Sequence, residues 1–457
     1  MLEAMRLSDL IKPLNASLND DDASFDSVGI DARHIQAGGL FVALPGTRVD
    51  GHDFVAQARA NGAAAALVEH PVEDPLPQLV VHDCAHALGQ LGALNRAAFT
   101  GPLVAITGSS GKTTVKEMLA SILGECGSVL ATRGNLNNEL GVPLTLLELA
   151  PEHQYAVVEM GAAALGDIAY SMQLAKPGVS VLTNAGVAHI GRFGSEQAIA
   201  EAKGEIFAGL DSHGQGVINL DSPWFESWYQ TLGNRKAYVF SAQNPTAELR
   251  AEDIRLDERG CSGFRLVTPS GAVDIQLDLL GRHNVANALA ATGAALALKV
   301  PLEAISRGLR KLQPMAGRGQ SLPGCNGAVI IDDSYNANPV SVCAAIDLLA
   351  GLDGCRLLVL GDMGELGQLE EQAHADVGAY AKAQGLDGLY VTGPLSALAA
   401  AAFGEGGQVY ADRAELATAL KARLDSQTWV LIKGSRSAGM EEVVAAVAAG
   451  SHITEEG

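Results

Sequence analysis

The chain has 457 residues, 48% of them hydrophobic and 18% charged, a globular rather than a disordered composition and long enough for about three domains. Its formal charge of −21 argues against nucleic acid or an anionic membrane as partner, although local lysines and arginines can still receive an anionic substrate. The start, Met1-Leu2-Glu3-Ala4-Met5-Arg6, has an acid where a secretory signal needs a basic region, and no apolar run is long enough to span a bilayer. Cys84, Cys126, Cys261, Cys325, Cys343 and Cys355 are scattered without a C-x-x-C pair, which predicts buried, reduced thiols in a cytoplasmic protein.

Residues 1–100 read as a small α/β unit. Phe41 to Leu44 predicts a buried strand closed by Pro45-Gly46, and Asp50-Gly51-His52-Asp53-Phe54 leads into an alanine-rich helix and a strand near Ala65 to Val68. Asp31 and Arg33, ahead of them, read either as contacts to a polar ligand or as a surface ion pair.

Residues 101–313 form the second unit and carry the most informative stretch. An apolar run, Val104-Ala105-Ile106, feeds Thr107-Gly108-Ser109-Ser110-Gly111-Lys112-Thr113-Thr114, after which Val115 to Ala120 reads as helix. A strand, a small-residue loop and a helix start make an anion cradle, because loop amides and the helix N-terminus converge on one point. The spacing is G-x-x-G-K-T, shorter than the common phosphate loop, with Lys112 placed for the β- and γ-phosphates and the Thr113 hydroxyl for Mg²⁺. Further on, Thr132 to Glu139 is a polar stretch too rich in asparagine for a helix interior. Tyr155 to Glu159 reads as a buried strand ending in a carboxylate, at the sheet edge where open α/β folds bind ligands. Glu159 is therefore a candidate metal ligand or a cap acid. Val179 to Asn184 is a second such strand with His189 just beyond it, which adds a candidate ligand.

Ile199 to Leu210 predicts an amphipathic helix carrying Glu201, Lys203 and Glu205, a spacing that reads as a solvated ion-pair face. Residues 234–279 depart from the α/β alternation as consecutive strands. Asn284 and Asn287, three apart on the helix that follows, share one face and can present their amides together. Residues 314–457 form a third unit. Its strands, Ala328 to Asp333, Leu357 to Asp362, Leu389 to Gly393 and Trp429 to Gly434, alternate with helices and predict a parallel, doubly wound sheet with polar groups at one edge. No G-x-G-x-x-G follows the first of these strands, which argues against a dinucleotide site.

Taken together, Thr107 to Thr114, Glu159-Met160-Gly161-Ala162, Asn184 to His189, Ala202 to Phe207, Gly281-Arg282-His283-Asn284, Asp332 to Pro339, Gly361 to Gly367 and Lys433-Gly434-Ser435-Arg436 resemble the Mur ligases of peptidoglycan precursor synthesis over essentially the whole chain. The Asp332 to Pro339 and Gly361 to Gly367 stretches look like those of the branch that adds D-alanyl-D-alanine. The resemblance implies three α/β domains: residues 1–100 binding the UDP substrate, residues 101–313 a P-loop ATPase-like parallel sheet binding ATP, and residues 314–457 a Rossmann-like domain receiving the dipeptide. It implies an ATP-dependent ligase, with UDP-N-acetylmuramoyl-tripeptide and D-alanyl-D-alanine as small-molecule partners, two Mg²⁺ ions and a monomeric chain.

For the residues, the resemblance implies that Thr107 to Thr114, Asn284, Asn287, Arg318, Asp333 and Asn336 contact ATP. Thr113, Glu159, His189 and Lys203, the last as a carbamate, would ligate metal, and Lys112, Lys203 and His189 would act in catalysis. Asp31 and Arg33 would meet the UDP moiety, although Ala32 between them lacks the hydroxyl usual there. Asn137, Asn138, Lys433 and Ser435 would meet the peptide and the dipeptide. Two other readings stay open: another amide ligase of the same fold, such as a folylpolyglutamate synthase, and an NTPase coupling hydrolysis to a partner.

Overall fold

The computed structural model describes residues 1–19, 21–186 and 190–449. Among them, the strands gather into three main sheets. The first has the order Ser17–Asn19, Gln78–Val80, Ala65–Val68, Leu40–Val42, Val28–Gly29, parallel except for the first pair. The helix Cys84–Ala98, capped by the Asp83 carboxylate on the His86 amide, closes this unit and packs on Gly141–Leu147 of the next.

The second sheet has nine strands. From one edge they run Val129–Ala131, Tyr155–Glu159, Leu103–Thr107, Val179–Leu182, Gln215–Asn219, Lys236–Ser241, Leu249–Leu256, Cys261–Thr268 and Gly271–Leu280. The first seven are parallel, but the last two hairpins turn antiparallel, so the expected parallel sheet is a mixed one. The phosphate-loop strand shows why the parallel part is buried on both faces. Val104 and Ile106 enter one core with Val115, Met118 and Leu119 of the following helix, while Leu103 and Ala105 enter another with Val158, Ile206 and Phe207. Near-continuous apolar strands covered by helices on both sides are what such a sheet needs.

The third sheet has the order Gln320–Pro323, Val329–Asp333, Thr428–Lys433, Cys355–Gly361, Gly388–Thr392, Gly407–Tyr410. The four strands expected from the sequence are present and parallel. Two more flank them: Gln320–Pro323 runs antiparallel at one edge and Gly407–Tyr410 parallel at the other. Both are short and half-exposed, and neither shows the apolar run that marked the inner four.

The thiol expectation is corrected in part. All six cysteines are free, but only Cys84 and Cys261 are buried, and Cys126 is exposed. No described helix is long and apolar enough to cross a membrane.

Candidate active site

In the second sheet, Leu103–Thr107 lies between Tyr155–Glu159 on one side and Val179–Leu182 on the other. The chain thus leaves for opposite sides around this strand, and ligands of open α/β sheets bind outside the carboxyl ends at such a switch point. The loop starting there is braced by the neighbouring strand end. Asn184 accepts hydrogen bonds from the Ser110 amide (3.0 Å) and hydroxyl (3.2 Å), and the Thr183 hydroxyl donates to the Ser110 carbonyl (2.7 Å). The Ser109 hydroxyl accepts from the Gly186 amide at 3.0 Å. Gly111, at φ 78°, opens the helix Lys112–Gly124; a Cβ there would lie 2.4 Å from Asn287 Oδ1, so only glycine lets the loop pass that helix. Lys112 Nζ donates to the Gly108 carbonyl at 2.8 Å. Burial pulls the Lys112 pKa below its usual value, with the Arg318 charge adding to the fall and Glu159 opposing it.

The loop faces a cavity of about 610 Å³ whose walls come from both the second and the third units. Ser109, Ser110, Gly111, Lys112, Thr113, Thr114, Asn137, Asn138, Glu159, Lys203, Asn284, Asn287, Arg318, Asp333, Asn336 and Lys433 all line it. Glu159 is buried at its strand end. Its Oε1 accepts from Asn137 Nδ2 at 2.7 Å, while Oε2 is buried without a hydrogen-bond partner. A buried carboxylate oxygen left unpaired is costly, and a cation is the usual remedy. Among the described residues no three His, Cys, Asp or Glu side chains gather as a metal cluster, so a metal here would rely on a mixed donor set such as Glu159 with the Thr113 hydroxyl.

Lys203 does not form the exposed ion-pair face expected from its neighbours. It lies on the helix Glu196–Ala208 and is only 1% exposed. Glu201 instead accepts from Gln197, and Glu205 accepts from the backbone amides of Gly166 and Ala169. Burial, with the nearby Lys112 charge second, lowers the Lys203 pKa to about 7.

On the opposite wall the Arg318 guanidinium stacks 4.0 Å from the Tyr335 ring centroid. Lys433 Nζ binds Asp333 Oδ2 at 2.6 Å and the Asn336 carbonyl at 2.8 Å. Asp333 and Lys433, assigned to different ligands from the sequence, are therefore partners of each other.

Several expected residues are engaged with one another or sit elsewhere. Asn284 and Asn287 share a face, but Asn287 Nδ2 donates to Asn284 Oδ1 (2.9 Å) and Asn284 Nδ2 to the Leu280 carbonyl (2.7 Å), so the pair is tied to itself and to the backbone rather than presenting both amides. Thr107 is buried and ties two strands through the Met160 carbonyl, and Gly108 receives Lys112; neither lines the cavity. Ser435 is buried, with its hydroxyl on that of Ser437, and also lies off the cavity. Asp31 and Arg33 lie outside the cavity and bond each other at 2.7 Å on the surface, the ion-pair alternative, and the Arg33 side chain holds the Asp31 carboxyl well below its usual pKa. His189 lies outside the described residues. Thr183, Asn184 and Tyr335 were not assigned roles from the sequence; a polar Thr-Asn pair closing an apolar strand, and a tyrosine in a run of Asp, Ser and Asn, were the available signals.

The phosphate-binding loop at a switch point, facing a second α/β sheet across one cavity, defines a mononucleotide-binding α/β enzyme whose reaction space lies between two domains. Comparison with known sequences adds the family. Residues 24–96 match the model described as Mur ligase family, catalytic domain; residues 106–295 match Mur ligase middle domain; residues 317–436 match Mur ligase, glutamate ligase domain. The chain is 44% identical over 446 residues, 97% of its length and 98% of the relative's, to the UDP-N-acetylmuramoyl-tripeptide--D-alanyl-D-alanine ligase of Escherichia coli. Its fold matches MurF from Acinetobacter baumannii with a TM-score of 0.92 at 37% identity, covering 97% of this chain and 98% of that one. It also matches the MurF ligase of Thermotoga maritima, solved in complex with ADP, at a TM-score of 0.82 and 29% identity, covering 92% and 96%. The chain belongs to the Mur ligase family.

Proposed function

We propose that this protein is the ATP-dependent ligase that joins D-alanyl-D-alanine to UDP-N-acetylmuramoyl-tripeptide, releasing ADP and phosphate. One observation carries the reading: the Gly111-Lys112-Thr113 loop opens into a cavity shared with a second sheet, where Glu159 and Lys203 converge on the same space. A simple hydrolase has no need of that second wall. The identity of the substrates rests on the named relatives, since fold alone does not choose them.

In this reading residues 1–100 hold the UDP moiety, with Asp31 and Arg33 at its edge, residues 101–313 hold ATP and residues 314–457 hold the dipeptide. The peptide carboxylate attacks the γ-phosphorus of ATP, ADP leaves, and the dipeptide amine then displaces phosphate from the acyl phosphate. Carboxylate and phosphate oxygens repel, so the residues that matter supply positive charge or orient. Lys112 meets the β- and γ-phosphates at the start of its helix, and Asn184, which takes the Ser109 amide on its carbonyl and the Ser110 amide on its side chain, holds the loop Ser109-Ser110-Gly111 around the same anion. Thr107 and Gly108 hold that loop to the sheet. Arg318 reaches the nucleotide from the third domain, as does Asp333 with Lys433; Asn284, Asn287 and Asn336 border it; Asn137 and Asn138 shape the peptide side. Mg²⁺ fits the unpaired Glu159 oxygen and the Thr113 hydroxyl as hard oxygen donors, and when bound it supplies charge that offsets the transferring phosphoryl group. A second ion would be held by His189 and by Lys203 as a carbamate. The reading includes a monomeric enzyme, and its UDP-linked substrate supports a cytoplasmic one.

Phosphate release measured with each substrate omitted in turn tests the reading. Steady release is expected only with ATP, the UDP-tripeptide and the dipeptide together; steady ATP hydrolysis without acceptor would refute it. Arg318→Ala and Asp333→Ala should lower kcat far more than affinity for the UDP-tripeptide, because both side chains reach the cavity from the third domain. Asp333→Ala also strands the buried Lys433 cation and should lower the melting temperature. Calorimetry showing lost UDP-tripeptide affinity in the Arg318 variant would misplace that residue.

A further inference from the structure

A contact between the second and third units, outside the cavity lining, has no part in the chemistry above. The loop 362–367 of the third unit meets the short helix Ile190–Phe193 of the second. The Gly191 amide donates to the Glu365 carbonyl at 3.0 Å, and Arg192 Nη2 pairs with the Glu365 carboxylate at 2.7 Å. The backbones approach so closely that a Cβ on Gly191 would lie 2.7 Å from the Gly367 nitrogen and 3.0 Å from its Cα. Below them Ile190 and Ile199 share one apolar cluster with Met363 and Leu366, across the two units.

The conformation of Glu365 marks the contact as built. It stands at φ 63°, the left-handed region that favours glycine, in a loop with glycine at 364 and 367. A side chain is kept where glycine is easier, and that side chain is the one that reaches Arg192. Both members are well exposed, at 40% and 55%, so the pair adds little to bulk stability and its use is directional. The loop is held from behind near its start: the fully buried His374 accepts from the Met363 amide at 2.9 Å through Nε2, while its Nδ1 meets the carbonyl of Glu370, on its own helix Glu370–Ala383, at 2.6 Å.

The contact is tied to residues on both walls of the cavity. Ile199 is one helical turn before Lys203 on the same helix, and the Asp362 carbonyl accepts from the Ser435 amide at 2.9 Å, two residues after Lys433. We infer that the loop 362–367 and the helix Ile190–Phe193 form a clasp that fixes how the second and third units meet about the cavity, with Glu365 and Arg192 as positioning residues for the reaction. Its kinetic consequence rests on the proposed ligase activity; its structural consequence does not.

The test pairs small-angle scattering of the full chain, with ADP and Mg²⁺ as probe, with steady-state kinetics. Gly191→Ala pushes a methyl into the Gly367 backbone. It should enlarge the radius of gyration relative to wild type and lower kcat, by up to about 10²-fold since misplacement of the order of 1 Å can cost that much, while leaving KM for the UDP-linked substrate unchanged. Glu365→Gly relieves the backbone and deletes the ion pair; it should lose less activity and weaken the dependence of kcat on salt by the share that this exposed pair contributes in wild type. Wild-type scattering and kcat in Gly191→Ala would overturn the clasp, as would an unchanged salt dependence in Glu365→Gly, which decides alone if the alanine variant does not fold. A wild-type chain without ligase activity would refute the proposed function instead, and scattering would still decide the clasp.

Discussion

Lys203→Ala is expected to be nearly inactive and to recover in part when a small carboxylate such as acetate is supplied. Lys203 is enclosed at the back of the cavity with neither neighbouring acid to pair it, and its pKa of about 7 leaves a large share of free amine near neutral pH. In the proposed carbamylation the ammonium first gives up one proton, and the free amine then adds to CO₂: the N–C bond forms, a second proton leaves for solvent, and the original cation has become an anion with two oxygens. That carbamate suits Mg²⁺, whereas an ammonium in the same place repels it. Lys203→Arg should resist acetate rescue, because its guanidinium keeps the charge and fills the space. Labelled bicarbonate gives a readout apart from activity: wild type should show a carbamate ¹³C signal that Lys203→Ala lacks. A fully active Lys203→Ala enzyme, or wild type without that signal, would contradict the assignment.

In CO₂-free buffer, where Lys203 is an amine, the same shift fixes a pH dependence. The unfolded chain holds the Lys203 proton up to the ordinary 10.5, while the folded chain releases it from about 7. Between those values the unfolded state binds more protons, so this group makes folding more favourable as pH rises through the window and less favourable as pH falls toward 7. Melting temperature of Lys203→Met should lack that slope; an identical slope in both proteins would assign it elsewhere.

Lys112→Ala is expected to lose about 10²–10³ in turnover, the usual cost of removing one preorganised charge from a transition state, with little effect on the fold. Its side chain reaches only the Gly108 carbonyl of its own loop, so no distant contact is lost with it. Burial works against its charge, and a bound phosphate restores the preference for the ammonium form. Near wild-type turnover would reduce the loop to a structural turn.

The phosphate loop was readable because its signal is local: strand, two glycines, lysine and helix follow one another within the range Leu103–Gly124. Glu159 was readable for the same reason, as a carboxylate closing an apolar strand. Lys203 was half readable. Ile199, Lys203, Ile206 and Phe207 fall on one helical face at i, i+4, i+7 and i+8, and that face is buried, but the flanking acids drew attention to an exposed pairing that the fold does not make. Asn284 and Asn287 show the limit of spacing: it places two amides on one face and says nothing of whether they bond each other. The antiparallel strand Gln320–Pro323 is a half-exposed hairpin partner of Val329–Asp333 with no apolar run to mark it, and the Gly191–Gly367 approach depends on residues distant in sequence that no local periodicity encodes.

The central claim is amide ligation, and mass spectrometry of the products tests it most directly. With ATP, D-alanyl-D-alanine and UDP-N-acetylmuramoyl-tripeptide, the account predicts a UDP-linked product heavier by one dipeptide less water, formed in step with ADP and phosphate. Consumption of ATP with the UDP-linked substrate left at its original mass would contradict it.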